Sequence, residues 1–292
     1  MVIAYVKVCL EATFLRGDPL ALLLRTEQLR DEAFGRFWVG FSGMYSALYT
    51  PHSITSAEKA NYAPTAPPPE PQEPQGSAAL IPPILAKATG TVLDVGPGTG
   101  TQMPLLSSAP QNANITRIYG AEPCTGLHAE LRKRAVDEGL EGKYHILSCG
   151  VSAEELEPEM RRAGLSVPSG GGGGEGVFDT IICVRVLCSV PDLEARTKEL
   201  YSLLRPGGRL LVVEHVVNPW NTAKGSIVAR FMQAFYETLG WRWFMGNCSM
   251  NRDTEGALRR AAADDGGWEA VDIERWFGWS PLPYMSGVLV KR

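Results

Sequence analysis

No run of 18 or more apolar residues occurs in the sequence, so no stretch reads as a helix that crosses a bilayer. Positive charge is not in excess either: Lys+Arg 28 against Asp+Glu 32 gives a net charge of −4. That excludes a protein living on phosphate backbones, and no nucleic-acid partner is expected. The six cysteines, Cys9, Cys124, Cys149, Cys183, Cys188 and Cys248, form no CxxC pair. Neither a zinc knuckle nor a disulfide scaffold is signalled, and no metal is expected. The thiols read as reduced and mostly buried. Hydrophobic residues are nonetheless 45% of the 292, enough for a packed core in one large domain with an appendage, or in two small ones.

The first 15 residues, MVIAYVKVCLEATFL, are apolar but carry Lys7 and Glu11 and lack a small-residue cleavage site. They are not read as a signal peptide. Two readings stay open: an apolar helix packed on the body, or the stub of a membrane-binding element. Asp18-Pro19 starts a helix, with a capping acceptor before a first-turn proline. Phe34, Phe37, Trp38, Phe41, Tyr45 and Leu48 then form one apolar stripe at helical spacing. Such a stripe serves as core and lid, or as a face dipping into a membrane surface. Residues 63–76, APTAPPPEPQEPQG, read as an extended linker. It divides an N-terminal helical arm, residues 1–62, from residues 77–292. A second soft spot is the glycine run 169–174.

Between these landmarks strand-like and helical stretches alternate. Strands are expected at Thr91–Val95, Thr116–Ala121, Tyr144–Ser148, Phe178–Val184, Arg209–His215 and Gly287–Lys291. Helices are expected at Gly126–Glu138, Ala153–Ala163 and Leu193–Leu204. That order predicts a Rossmann-like, doubly wound α/β fold with a mostly parallel sheet and ligands at the carboxyl ends of its strands.

The sharpest signal is Val92-Leu93-Asp94-Val95-Gly96-Pro97-Gly98-Thr99-Gly100. A buried strand runs into alternate glycines, which permit a tight turn and let a ligand lie on the backbone. The spacing is G-x-G-x-G, not the G-x-G-x-x-G of dinucleotide folds. Asp94 would repel a pyrophosphate and favour a cationic ligand. S-adenosyl-L-methionine, with its ammonium and sulfonium, meets that demand. Glu122, followed by Pro123 and 28 residues past Asp94, stands at the end of the next strand, where a carboxylate accepts both hydroxyls of a ribose. Val151, Ser152 and Ala153 follow the third strand and would border the adenine. Ser152 also suits a helix cap, with Glu155 at the capping-box position.

These residues resemble the class I S-adenosylmethionine-dependent methyltransferases over roughly 77–292. Phe178–Cys183 looks like their fourth strand, and Leu204-Arg205-Pro206-Gly207-Gly208-Arg209-Leu210 like the turn into their fifth. The resemblance implies a seven-stranded sheet with a reversed last strand, which Gly287–Lys291 suits. Cys183 and Val184 complete the candidate cofactor set, and S-adenosyl-L-homocysteine would be the product. A narrower resemblance rests on Val186–Val190, on Glu214-His215-Val216, and on Cys248 with Asn251-Arg252-Asp253. These are similar to the membrane-associated, methyltransferase-like alkyl thiol methyltransferases and their fungal relatives. That family implies S-methylation of a small hydrophobic thiol, and an apolar arm. This chain departs from it in a weaker N-terminal anchor and in Asn247, where the family has glycine. A cytoplasmic protein is implied, or one peripheral on the endoplasmic reticulum or a lipid droplet through its arm.

No Asn-Pro-Pro-aromatic run follows the fourth strand; Cys183-Val184-Arg185-Val186 takes its place, which disfavours amide or nucleobase nitrogen as acceptor. A thiol, with a free pKa of ~8.5, needs little activation. A phenol gains more from a general base, and His215 is the candidate, the alternative being a structural histidine. Trp220, Trp241 and Met245, with Phe41 and Tyr45 of the arm, are the candidates for an apolar acceptor pocket. Cys248 reads as buried and inert, or as a substrate contact. O- or C-methylation of a phenolic or quinone-like natural product remains the other reading.

Overall fold

The structure, a computed structural model, describes residues 1–49 (side chains to residue 40), 75–108, 110–165 and 176–292. The glycine run, all but the last two residues of the proline-rich segment, and the side chains of Phe41, Tyr45 and Leu48 lie outside the described residues.

Seven strands form one sheet: β1 (Gly90–Val95), β2 (Ile115–Ala121), β3 (Tyr144–Leu147), β4 (Phe178–Val184), β5 (Leu204–His215), β6 (Ala270–Trp276) and β7 (Tyr284–Val290). Their order is β3-β2-β1-β4-β5-β7-β6. The first five run parallel, and β7 runs antiparallel to both of its neighbours. A parallel sheet must be covered on both faces, so its strands read as apolar runs. Leu210, Leu211, Val212 and Val213 of β5 are all fully buried. Alternate residues feed two cores: Leu93, Ile181 and Leu210 enter one, Val92, Ile182 and Leu211 the other. From β1 the chain winds outward through β2 to β3, then returns to β4 on the other side. The crevice at the carboxyl ends of β1 and β4 is therefore where the strand order reverses and where a ligand belongs.

The strands expected from the sequence form, with bounds moved by a few residues. β6 is the addition. It is an edge strand whose half-buried Val271 and Ile273 alternate with exposed Asp272 and Glu274. Its charges fit a strand whose outer edge stays unpaired.

Helices of eight or more residues are α1 (Val2–Leu10), α2 (Thr26–Tyr49), α3 (His128–Asp137), α4 (Ala153–Arg162), α5 (Leu193–Leu203), α6 (Ile227–Thr238) and α7 (Thr254–Ala261). Four start on side-chain caps: Ser152, Asp192, Ser226 and Asp253 each accept a backbone N–H three residues on. Such caps contribute about 1 kcal/mol each.

The arm forms as expected from Asp18, whose Oδ1 accepts the Ala21 N–H at 3.1 Å. The helix there is only Ala21–Leu24, and the chain re-enters helix at α2. Val8, Ala12, Ala21, Leu29 and Ala33 give the arm a small core of its own. No helix of the described residues is long and apolar enough to cross a membrane. Ile3, Phe14, Leu15, Leu23 and Leu24 are nevertheless more than three-quarters exposed.

Candidate active site

At the donor end, β1 delivers Asp94 and then turns at Gly96. Gly96, Gly98 and Gly100 have φ of +59°, +62° and +75°, in the left-handed region that favours glycine. A Cβ on Gly96 would stand 2.5 Å from Val186 Cγ2, and one on Gly98 3.0 Å from Trp38 Nε1. Asp94 is buried, and its Oδ2 accepts the O–H of Tyr144 at 2.9 Å. Tyr144 reaches it from β3 by passing over Gly120 of β2, where any side chain would collide with the phenol. Burial pushes the Asp94 carboxyl up to about 6; the Tyr144 hydrogen bond pulls it down and Glu122 pushes it up.

Glu122 is also buried. Its Oε2 accepts the Gly98 N–H at 2.9 Å and its Oε1 the Cys124 N–H at 2.8 Å. Burial raises its pKa against those two bonds. Thr99 Oγ1 is buried with no partner among the described residues. Two buried carboxylates around a glycine loop, one bonded to a neutral phenol, suit a ligand with positive charge and a diol. Asp94 and Glu122 fit S-adenosylmethionine: Asp94 would face its cationic end and Glu122 its ribose, with Val151–Ala153 the candidates to border its adenine. When bound, that group supplies a methyl carbon already activated by the sulfonium.

At the acceptor end, β5 delivers Glu214 and His215. His215 is buried, and its Nε2 lies 3.1 Å from Cys248 Sγ, while Nδ1 has no partner among the described residues. Trp241 Nε1–H donates to the same sulfur at 3.4 Å. Cys188, from the loop after β4, completes the group: its sulfur, Cys248 Sγ and a His215 ring nitrogen all lie within 4.8 Å of one another. The Cys188 thiol and the His215 ring hold the Cys248 thiol down to about 5 against the upward push of burial. Cys188 moves the other way, well above the usual thiol range, through its bond to Cys248 and its burial. Burial pulls His215 down, but the bond to Cys248 with the charges of Cys248 and Glu214 leaves it raised.

The frame around this cluster is built from backbone. Glu214 Oε1 accepts the N–H groups of Val186 and Leu187 at 2.7 and 2.9 Å, fixing the loop that carries Cys188. The Ser249 N–H donates to the Cys188 carbonyl at 2.9 Å. Arg252 donates from Nη1 to the carbonyls of Leu187 and Val190. Asn247, just before Cys248, has a φ of +64°. Asparagine is among the few side chains that accept this conformation, which accounts for its standing where the resemblance has glycine.

A family model for a methyltransferase domain matches residues 72–269. The chain belongs to that methyltransferase family. Human thiol S-methyltransferase TMT1B is 31% identical over 121 residues, 40% of this chain and 45% of that one. Mouse thiol S-methyltransferase TMT1B is 26% identical over 206 residues, 68% of this chain and 70% of that one. The matched stretch thus spans less than half of the human relative. A solved geranyl diphosphate methyltransferase, in complex with GPP and sinefungin, shares the fold with a TM-score of 0.51 and 14% identity, over 90% of this chain and 98% of that one. The chain carries a methyltransferase domain with a Rossmann-like fold.

The methyltransferase brings most of the expected donor residues together. Asp94, Gly96, Pro97, Gly98, Thr99, Gly100 and Glu122 form one loop cluster, with the exposed Pro123 beyond it. Ser152 is occupied as a helix cap, its Oγ accepting the Glu155 N–H at 3.3 Å. The Cys183 thiol is fully buried in the core, and Val184 is half-buried. Met245 is half-buried beside the cluster, and its carbonyl accepts the Cys248 N–H at 3.1 Å. Trp220 stands apart on the surface, 51% exposed. Cys248 is buried as expected, but it is engaged on two sides instead of inert.

The arm packs against both ends. Besides Trp38 over Gly98, Phe34 leaves no room for a side chain on Gly246, and Arg30 Nη1 donates to Asn247 Oδ1 at 3.3 Å. Tyr5 of α1 meets Trp243 edge-on at 4.7 Å. Of the described part of the aromatic stripe, Phe34 and Trp38 therefore face the body. Tyr144, Trp38, Glu214 and Cys188 were not among the expected site residues. Cys188 and Glu214 carried a signal, within Val186–Val190 and Glu214-His215-Val216, and Trp38 lay in the aromatic stripe; Tyr144 carried none beyond its strand.

Proposed function

We propose that this methyltransferase transfers the methyl group of S-adenosylmethionine to the sulfur of a small apolar thiol. The observation that carries the reading is the state of His215. Its Nε2 is turned to Cys248 Sγ at 3.1 Å inside a buried cluster. A ring nitrogen held there is badly placed to take the proton of a phenol. A thiol makes no such demand, since a few per cent is already thiolate at neutral pH and the thiolate is a strong nucleophile. The acceptor end is aromatic, with the Trp241 indole donating to Cys248 Sγ. The likeness to thiol S-methyltransferases of human and mouse supports the same chemistry.

What the chain has to do is modest. It aligns the acceptor with the methyl carbon, and it keeps water out. The arm helix over Gly98 and Gly246 serves both ends. The arm's exposed apolar side chains, Ile3, Phe14, Leu15, Leu23 and Leu24, fit peripheral contact with a lipid surface, from which an apolar acceptor would be drawn.

The test is methyl transfer from labelled S-adenosylmethionine to apolar thiols and to phenols of the same skeleton. Turnover of thiols and not of phenols is expected. Turnover of phenols that disappears in His215→Ala would replace this reading with O-methylation through a histidine base.

A further inference from the structure

Cys188, His215 and Cys248 come from three separate parts of the chain, yet their donor atoms converge within 4.8 Å of one another, and all three residues are buried. Two soft sulfurs and one imidazole nitrogen are a donor set for a borderline-soft divalent cation. We infer that these three side chains form a site for a zinc-class cation, with its fourth position open to the acceptor thiol.

The geometry suits this closely. A tetrahedral cation with metal–sulfur bonds of about 2.3 Å and a metal–nitrogen bond of about 2.0 Å sets its donors roughly 3.5–3.8 Å apart. His215 Nε2 and Cys248 Sγ stand at 3.1 Å, and no pair in the group exceeds 4.8 Å. Side-chain rotations of well under a rotamer step close the difference. The surroundings are those of a held site. Trp241 Nε1–H donates to Cys248 Sγ at 3.4 Å, and Ser189 Oγ lies 3.5 Å from Cys188 Sγ. Glu214 and the Ser249 N–H pin the loop that presents Cys188, before any ligand atom is considered. Such outer partners orient ligands and tune a metal. Two thiolates and a divalent cation sum to zero charge, which a buried site tolerates better than either alone.

Three protein donors leave one position free, the arrangement of a catalytic rather than a structural site. The ligand class follows from the donors: an acceptor carrying sulfur. The free thiol gives up its S–H proton to solvent as its sulfur joins the cation. The held thiolate attacks the methyl carbon of S-adenosylmethionine. The sulfur–carbon bond forms as the bond to the sulfonium breaks. S-adenosylhomocysteine leaves uncharged, and the neutral thioether product is the weaker ligand and departs. The assignment of the fourth position rests on the S-methylation reading; the cation site itself does not.

The experiment uses the full chain, reduced, freed of metal with a chelator and titrated with Co²⁺. Tetrahedral Co²⁺ bound to thiolate is expected, seen as a sulfur-to-metal charge-transfer band with strong ligand-field bands, saturating at about one ion per chain. Cys188→Ser and Cys248→Ser should each lose the charge-transfer intensity, while S-adenosylhomocysteine still raises their melting temperature. An apolar thiol should shift the ligand-field bands of the wild-type cobalt form, and the matching alcohol should not. No saturable cobalt spectrum in a reduced chain that still binds S-adenosylhomocysteine would overturn the site and leave the methyltransferase untouched. A cobalt spectrum that ignores thiols would overturn the open position. Cobalt bands that respond to thiols in a chain that methylates only phenols would sink the S-methylation reading instead.

Discussion

The indole of Trp38 rests on Gly98, so close that a Cβ on the glycine would come to 3.0 Å from Nε1. Trp38 belongs to the arm helix, and Gly98 to the glycine loop proposed to receive the methyl donor. On that proposal the bare backbone at position 98 would serve two neighbours, the ligand on one side and the arm on the other. The same helix brings Phe34 against Gly246, two positions before Cys248. One helix therefore bridges the donor and acceptor ends of the crevice.

Gly98→Ala tests that bridge. The φ of +62° strains an alanine, and its methyl group meets the indole. A stability loss of about 1–2 kcal/mol is expected from the backbone alone. Affinity for S-adenosylhomocysteine, read by calorimetry, should fall by about tenfold or more. Adding Trp38→Ala should return part of the stability, since it removes the collision and leaves the strain. Wild-type affinity in Gly98→Ala would show that the loop backbone is not a ligand surface.

Asp94 gives a pH signature. Its folded pKa of about 6 stands above its usual 3.8. A raised carboxyl contributes stability that is fully present below the unfolded pKa and is lost as pH rises through the folded one. Without cofactor, the wild type should therefore lose up to ~3 kcal/mol between pH 4 and pH 7 through this group, at 1.36 kcal/mol per unit. Asp94→Asn should remove that slope in urea denaturation, and unfold later than wild type at pH 7. The same variant should bind S-adenosylmethionine far more weakly. An unchanged slope in Asp94→Asn would assign the pH dependence elsewhere.

Glu214 is predicted to act through the hydrogen bonds it accepts. Glu214→Gln keeps an oxygen for the N–H groups of Val186 and Leu187 and should fold normally. Glu214→Ala strands both buried donors and should cost about 2–5 kcal/mol, seen as an earlier denaturation midpoint. Its loop then no longer holds Cys188, so thiol turnover should fall even in the fraction that stays folded. Equal stability of the two variants would contradict this.

Peripheral membrane contact is testable by flotation with phosphatidylcholine vesicles. Wild type should float, and a chain with Phe14, Leu15, Leu23 and Leu24 all changed to Ser should not. Each buried large side chain is worth roughly 1.5–3 kcal/mol at an apolar surface, so four changes suffice to abolish binding. Equal flotation of the two would place any contact elsewhere.

The donor end was legible in the sequence because its parts are contiguous. One strand, one glycine loop and the end of the next strand carry Asp94, Gly96, Gly98, Gly100 and Glu122, and parallel pairing of β1 with β2 brings them together. At the acceptor end His215 and Cys248 were singled out, but their meeting with Cys188 was not legible, because that cluster is assembled from afar. Cys188 and Cys248 are 60 residues apart and meet through the Ser249 bond to the Cys188 carbonyl. Spacing rules see only ligands close in sequence. Tyr144 reads as an ordinary buried strand residue; its tie to Asp94 depends on the gap at Gly120, with the whole of β2 crossed. β6 hid for a different reason: its charges look like a surface loop until β7 is there to pair with it.

That dependence sets the order in which the fold is finished during synthesis. Of the seven strands of this sheet β7 is made last, yet it lies inside the sheet, between β5 and β6. Until residues 284–290 leave the ribosome, β6 lacks the partner it has in the fold and β5 presents an open edge whose centre, Leu210–Val213, is apolar. A chain stopped short of Tyr284 would carry that sticky rim permanently. Termination before Tyr284 is therefore predicted to yield aggregates, which the cell must clear.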